Sequence, residues 1–264
     1  MSILTFDDAL MENGFDRSQR DAGYGRCPLY IVCSPRRRVG KTLLTRLITE
    51  FYLGQGWAVE AYDLADEGPQ LVDFLPDLAK IADLATTRGQ MVFFDRLIAE
   101  KDTPKVIDVS HRAFKDFFVI ANKIRLFEAA RRRDIEPIIL FLIDPDPVSA
   151  KAYSMLQRWF TEASLLPVHN EGISRGFPYW ETFPNESHLH VSLEIPMLVW
   201  SSTRMLVDQP SFSFARFHKS ESTDLPPRQD DELRGFIKRV FRQFREIDLC
   251  LKAADDSQDW GKSP

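Results

Sequence analysis

Leu29-Tyr30-Ile31-Val32-Cys33-Ser34-Pro35-Arg36-Arg37-Arg38-Val39-Gly40-Lys41-Thr42-Leu43-Leu44 is the stretch whose reading decides the fold. Its first five residues are apolar and predict a strand at about 29–33. Its last residues run into Thr45-Arg46-Leu47-Ile48 and predict a helix over about 41–54. The loop between them ends in Gly40-Lys41-Thr42. Strand, loop, Gly-Lys-Thr and helix, in that order, are the setting that a phosphate-cradling loop requires. Backbone N–H groups of such a loop and the positive end of the helix point at an anion. Lys41 then reaches terminal phosphates, and the Thr42 hydroxyl sits on Mg²⁺. Pro35 stands where the usual pattern G-x-x-x-x-G-K-[ST] has its first glycine, and proline has no N–H to donate.

Arg36-Arg37-Arg38-Val39-Gly40-Lys41-Thr42 also resembles K-G-G-V-G-K-T, the deviant P-loop of the ParA/MinD family of ATPases. The resemblance covers roughly residues 28–200. It implies an α/β P-loop NTPase fold: an open, mostly parallel, doubly wound sheet with helices on both faces. It implies ATP/ADP and Mg²⁺ as cofactors, slow ATP hydrolysis and an ATP-dependent homodimer. Such a dimer presents a new surface to DNA, a membrane or a protein, in partitioning, positioning or plasmid-transfer processes. A signature lysine opens the family motif and reaches the partner's nucleotide. Arg36 stands there and keeps the charge. Arg37 and Arg38 replace two glycines that allow positive φ and close approach to phosphate. One of the three arginines is then expected to neutralise transition-state charge. The implied nucleotide contacts are Arg36, Arg37, Arg38, Val39, Gly40, Lys41, Thr42 and Leu43.

Three further positions follow from strand ends, where open α/β sheets place their ligands. Asp108 closes Val106-Ile107-Asp108, resembles a Walker B aspartate, and is expected to hold Mg²⁺ through water. The other reading of such a residue is a helix cap. Asp63 ends the second strand, where the family carries D-x-D-P-Q. Here the run is Asp63-Leu64-Ala65-Asp66-Glu67-Gly68-Pro69-Gln70, so Asp63 or Asp66 would orient the attacking water, or the run is an acidic surface loop. Asn170 follows a late strand, where the family uses an asparagine on the adenine. An amide offers both donor and acceptor to a base edge, but a turn asparagine reads the same way.

The chain has 264 residues, 44% hydrophobic and 28% charged, with a net charge of −5. That suits one α/β domain and argues against coating nucleic acid through bulk charge. Cys27, Cys33 and Cys250 form no even framework, which fits a reducing compartment. No run approaches 18 apolar residues, and the start lacks a basic and then apolar leader, so a cytoplasmic protein with no transmembrane segment is expected.

The remaining elements alternate. A strand is predicted at 57–62 ending at Asp63, short helices and loop at 65–89, and strands at 105–108, 135–143 and 165–169. A further strand is expected over His188–Leu193. Met91 to Ile98 is ambiguous between helix and strand. Phe114, Phe117, Phe118, Ala121, Ile124 and Phe127 repeat at helical spacing, and a second helix spans about 147–163. His188 and His190 alternate, but no third metal ligand is evident. Arg131-Arg132-Arg133 ends a helix, where cations suit the dipole. Residues 207–228 read as a long loop, followed by an amphipathic helix from Leu233 to Ile247 with a basic outer face, expected to dock on the sheet. The organisation is thus an extension at 1–26, a nucleotide-binding domain at 27–206, the loop and helix at 207–253, and a disordered tail at 254–264. Two other functions share the loop. One is a small-molecule or nucleotide kinase with lid arginines from Arg96, Arg112, Arg125 and Arg131. The other is a non-hydrolysing scaffold whose nucleotide site has degraded.

Overall fold

The computed structural model describes residues 26–64, 70–178 and 181–259, with side chains to residue 253. Its strands are β1 (Cys27–Cys33), β2 (Glu60–Asp63), β3 (Ala79–Ile81), β4 (Lys105–Asp108), β5 (Ile135–Leu142), β6 (Ser164–Asn170) and β7 (Leu193–Ile195). The helices are α1 (Lys41–Gly54), α2 (Leu71–Phe74), α3 (Thr87–Ala99), α4 (Ala113–Lys123), α5 (Leu126–Arg131) and α6 (Pro147–Trp159). They continue with α7 (Glu171–Ser174), α8 (Ser201–Val207), α9 (Phe214–Lys219) and α10 (Pro227–Asp259). The strands form one sheet in the order β3-β2-β4-β1-β5-β6-β7, and every pairing is parallel.

Period-two alternation divides each central strand between two cores. Tyr30 and Val32 of β1 join Ile138, Leu140 and Leu142 of β5 in one core, under α1, α9 and α10. Leu29, Ile31 and Cys33 face the other way with Ile139 and Phe141, under α3, α4, α5 and α6. β1 and β5 are buried along their whole length, which is why they read as continuous apolar runs. The architecture is an α/β, doubly wound, P-loop NTPase-like fold with helices on both faces of the sheet. Its sheet is wholly parallel rather than mostly so.

Several elements depart from the sequence reading for local reasons. The second strand begins only at Glu60, because a turn at Gly56 (φ 81°) returns the Trp57 N–H to the Tyr52 carbonyl. β3 is a short edge strand with Ile81 exposed and carries little apolar signal. The ambiguous 91–98 run is helix α3, started by the Thr86 hydroxyl accepting from Gly89 N at 3.0 Å. Arg125 takes left-handed backbone (φ 53°) and splits the phenylalanine-rich helix into α4 and α5. His190 (φ 45°) breaks the strand expected over His188–Leu193, so only Leu193–Ile195 pairs with β6. Within the 207–228 loop, Ser213 caps the short helix α9. α10 runs through Asp259, into the stretch expected to be disordered.

α10 packs its apolar stripe on the core, with Phe241 and Phe244 edge-on to Phe51 of α1 at 5.4 and 5.5 Å. A buried polar clamp also ties α1 to the C-terminal segment. Arg46 donates to the carbonyls of Val207 (2.8 Å) and Phe212 (3.1 Å) and lies between the rings of Phe74 and Phe214, at 4.1 and 4.9 Å. Glu50, one turn on, accepts from Ser213 Oγ (2.5 Å) and Ala215 N (3.1 Å). Burial pulls the Arg46 pKa down to about 10 and pushes that of Glu50 up. Arg46→Ala should therefore lower stability by about 3 kcal/mol or more, since it leaves two buried carbonyls without their donor and removes the positive charge that offsets buried Glu50. Urea unfolding of the variant measures this, and a midpoint unchanged from the native chain would show that the clamp adds nothing.

Candidate functional site

The loop after β1 is shaped by its own backbone. Ser34 is buried, and its hydroxyl accepts from Arg36 N at 3.2 Å. Arg38 adopts φ 57° and Gly40 φ 102°. The first of these is where the resemblance puts a glycine, and the arginine takes the left-handed conformation without one. Gly40 caps α1 with no side-chain hydrogen bond, and no acidic residue occupies the first turn. Among the described residues the opening N–H groups of this helix thus have no capping side chain, the arrangement that favours an anion.

Three strand ends meet this loop and the first turn of α1, and a fourth lies one strand away. Thr42 Oγ1 donates to Asp108 Oδ2 at the end of β4, at 2.6 Å. Asp108 lies opposite Val32 of β1 on one side and Asp63 of β2 on the other. Asp144, just past β5, is buried beside Lys41 and accepts from Asp146 N (2.8 Å) and Ser149 Oγ (2.7 Å). Asn170, at the end of β6, donates from Nδ2 to the Val39 carbonyl at 3.0 Å and accepts from Gly172 N at 3.0 Å. Lys41 Nζ donates to the Arg36 carbonyl at 2.5 Å, and the Arg36 guanidinium pairs with Asp146 at 3.0 Å.

Charge balance explains the protonation preferences. Burial raises the Asp108 carboxyl to about 7; the Thr42 hydrogen bond opposes this, Asp63 adds to it, and Lys41 opposes it. Burial lowers the Lys41 pKa, against the attraction of Asp108, Cys33 and Asp144. Thr42 Oγ1 and the Asp108 carboxylate suit a hard cation that keeps several waters. Among the described residues no group of three or more His, Cys, Asp or Glu forms a ready metal cage.

The sequence-derived positions divide. Arg36, Val39, Gly40, Lys41, Thr42, Asp108 and Asn170 converge, and Asp63 sits one strand away with Oδ2 accepting from Val72 N at 3.3 Å. Arg37 and Arg38 are exposed on the loop, and Leu43 is partly buried and packs against the core. Asp66 lies outside the described residues. Asn170 uses both ends of its amide on backbone, so it acts here as a strut under the loop rather than as an open base reader. Asp144 and Asp146 were not foreseen; their signal is Asp144-Pro145-Asp146-Pro147 directly after an almost wholly apolar run. Of the lid arginines, Arg96 pairs with Glu60 (2.8 Å) and Arg131 with Glu136 (2.7 Å), at the opposite ends of β2 and β5 from the loop. Arg125 is with Glu128 at 3.5 Å. His188 lies 3.7 Å from Glu136 at that same far edge. No family model and no curated protein matches this chain. Among the described residues no helix is long and apolar enough to cross a membrane.

Two consequences can be measured. A Cβ at Gly40 would lie 2.6 Å from Asn170 Nδ2, on a backbone with positive φ. Gly40→Ala should destabilise by about 1–3 kcal/mol and lower the melting temperature; an unchanged melting curve would show that the loop moves freely. Asp108 keeps its proton in the folded chain up to about 7, whereas its ordinary value is 3.8. The folded state then binds more protons than the unfolded one between these values, so this group costs stability as pH rises through that window and no more above it. Relative to Asp108→Asn, the native chain should lose stability between pH 4 and 7. Parallel melting curves across that range would sink the assignment.

Proposed function

We propose that this chain is a Mg²⁺-dependent ATP-binding protein similar to the ParA/MinD ATPases, acting as a nucleotide-switched homodimer that hydrolyses ATP slowly. The observation that carries the reading is the start of α1. It is uncapped, preceded by a glycine in left-handed backbone, and bears Lys41 and Thr42 on its first turn. The Thr42 hydroxyl is already bonded to the strand-end carboxylate of Asp108. A seven-stranded parallel sheet that places these groups at its carboxyl edge fits nucleotide binding in general.

In this reading Lys41 and the loop N–H groups take the β- and γ-phosphates. Thr42 ligates Mg²⁺ directly, and Asp108 holds one of its waters. A bound Mg²⁺ supplies charge neutralisation at the phosphates. Asp63 would orient the attacking water, with Asp66 as its alternative. Arg36, Arg37 and Arg38 form a cationic edge able to face the phosphates, a second copy, or an acidic protein or DNA partner. The kinase alternative is weakened because Arg96 and Arg131 are engaged at the opposite edge of the sheet. A non-hydrolysing scaffold is the outcome if the loop takes no nucleotide.

Calorimetry with ATP and Mg²⁺ tests the proposal directly. The native chain should bind, and Lys41→Ala should weaken binding by at least about ten-fold, the loss of charge-assisted bonds to phosphate. Sedimentation with a non-hydrolysable ATP analogue should show a dimer that ADP does not support. No binding by the native chain would overturn the reading.

A further inference from the structure

We propose that Asp146 is a positioning residue that holds Arg36 as an internal counter-ion and so sets the affinity of the loop for phosphate. This rests on the nucleotide-site reading. Two contacts form a chain from Asp146 to Lys41. Asp146 Oδ2 pairs with the Arg36 guanidinium at 3.0 Å. The Arg36 carbonyl in turn accepts from Lys41 Nζ at 2.5 Å. Asp146 itself is fixed at the start of α6, where Oδ1 accepts from Val148 N at 2.9 Å and its own N–H donates to buried Asp144 at 2.8 Å. The carboxylate is therefore anchored, and the arginine is the movable partner.

Both loop cations nearest the cradle are thus committed within the chain. Lys41 is held by the backbone of the residue whose side chain Asp146 holds. An incoming phosphate must take Lys41 from that carbonyl and draw Arg36 from Asp146. The pair is half-exposed, with side-chain exposures of 51% and 26%, so it is weak enough for a multiply charged anion to break. The same pair keeps Arg36 ordered near the loop rather than swept into solvent, at a cost in phosphate affinity. The ligand class this fits is a polyphosphate with charge to spare, such as the triphosphate of a nucleotide, rather than a singly charged anion.

Asp146→Asn separates the two jobs of this side chain, because asparagine caps a helix as well as aspartate does and only the charge is lost. Mg-ATP and inorganic pyrophosphate are titrated into the native chain, Asp146→Asn, Arg36→Ala and the double variant, at low and high salt. Asp146→Asn should bind both probes about five-fold more tightly at low salt, and the gain should shrink as salt screens the pair. The gain should vanish in the Arg36→Ala background, since the carboxylate acts through that arginine. Unchanged or weaker binding by Asp146→Asn would overturn the latch alone. A gain that persists undiminished without Arg36 would also overturn it, because the carboxylate would then act by its field rather than by holding the arginine. Failure of native and Asp146→Asn chains alike to bind either probe would overturn the phosphate-site reading, and the latch with it.

Discussion

The loop that ends in Gly40 depends on the absence of a side chain at that one position. Asn170 reaches across from β6 to hold the Val39 carbonyl, and a Cβ on Gly40 would meet its amide nitrogen at 2.6 Å. The close approach lets one amide hold the loop against the sheet. It also sets the left-handed turn from which α1 starts. Lys41 and Thr42 follow at once, so their direction is fixed by the same turn. If the contact were looser, the helix would begin elsewhere and Thr42 would miss Asp108.

The second constraint is electrostatic. The carboxyl edge of the sheet carries Asp63, Asp108 and Asp144, all buried. Buried carboxylates are costly unless they are paired, hydrogen-bonded or protonated. Each of these accepts a hydrogen bond, and Lys41 lies among them; yet Asp108 still holds its proton up to about 7. A divalent cation beside Thr42 and Asp108 would relieve that excess of negative potential, whereas phosphate would be drawn to Lys41 and the arginines. Under the proposed function, the two halves of a Mg-nucleotide would answer opposite imbalances within a few residues of each other. The clamp of Arg46 and Glu50 extends the same helix α1 to the C-terminal segment, so the helix that opens the site also anchors α9.

Much of the site was legible because its residues lie close together in sequence. The strand, the loop and the first turn of α1 occupy one short run, and their chemistry follows from local geometry. Asp108 was legible through its place at the end of an apolar strand. Asp144 and Asp146 follow the same rule after β5, but an Asp-Pro repeat has the composition of a turn and gives no sign of what it faces. The role of Asn170 could not be read locally. Its amide can face a base or a backbone equally well, and only the packing of β6 beside the loop assigns it to Val39.

By itself the sequence determined the α/β class, the strand–loop–helix unit and the two-sided burial of β1 and β5, since continuous apolar runs and helical stripes allow little else. The tertiary structure decided the strand order, which puts Asp63, Asp108 and Val32 side by side although they are far apart in the chain. It also decided that Arg125 and His190 break regular elements, through left-handed backbone that no hydrophobic period reveals. Periodicity reports which face of an element is buried. It carries no information about which other strand end will lie next to it, and the charge balance of this site is made of such neighbours.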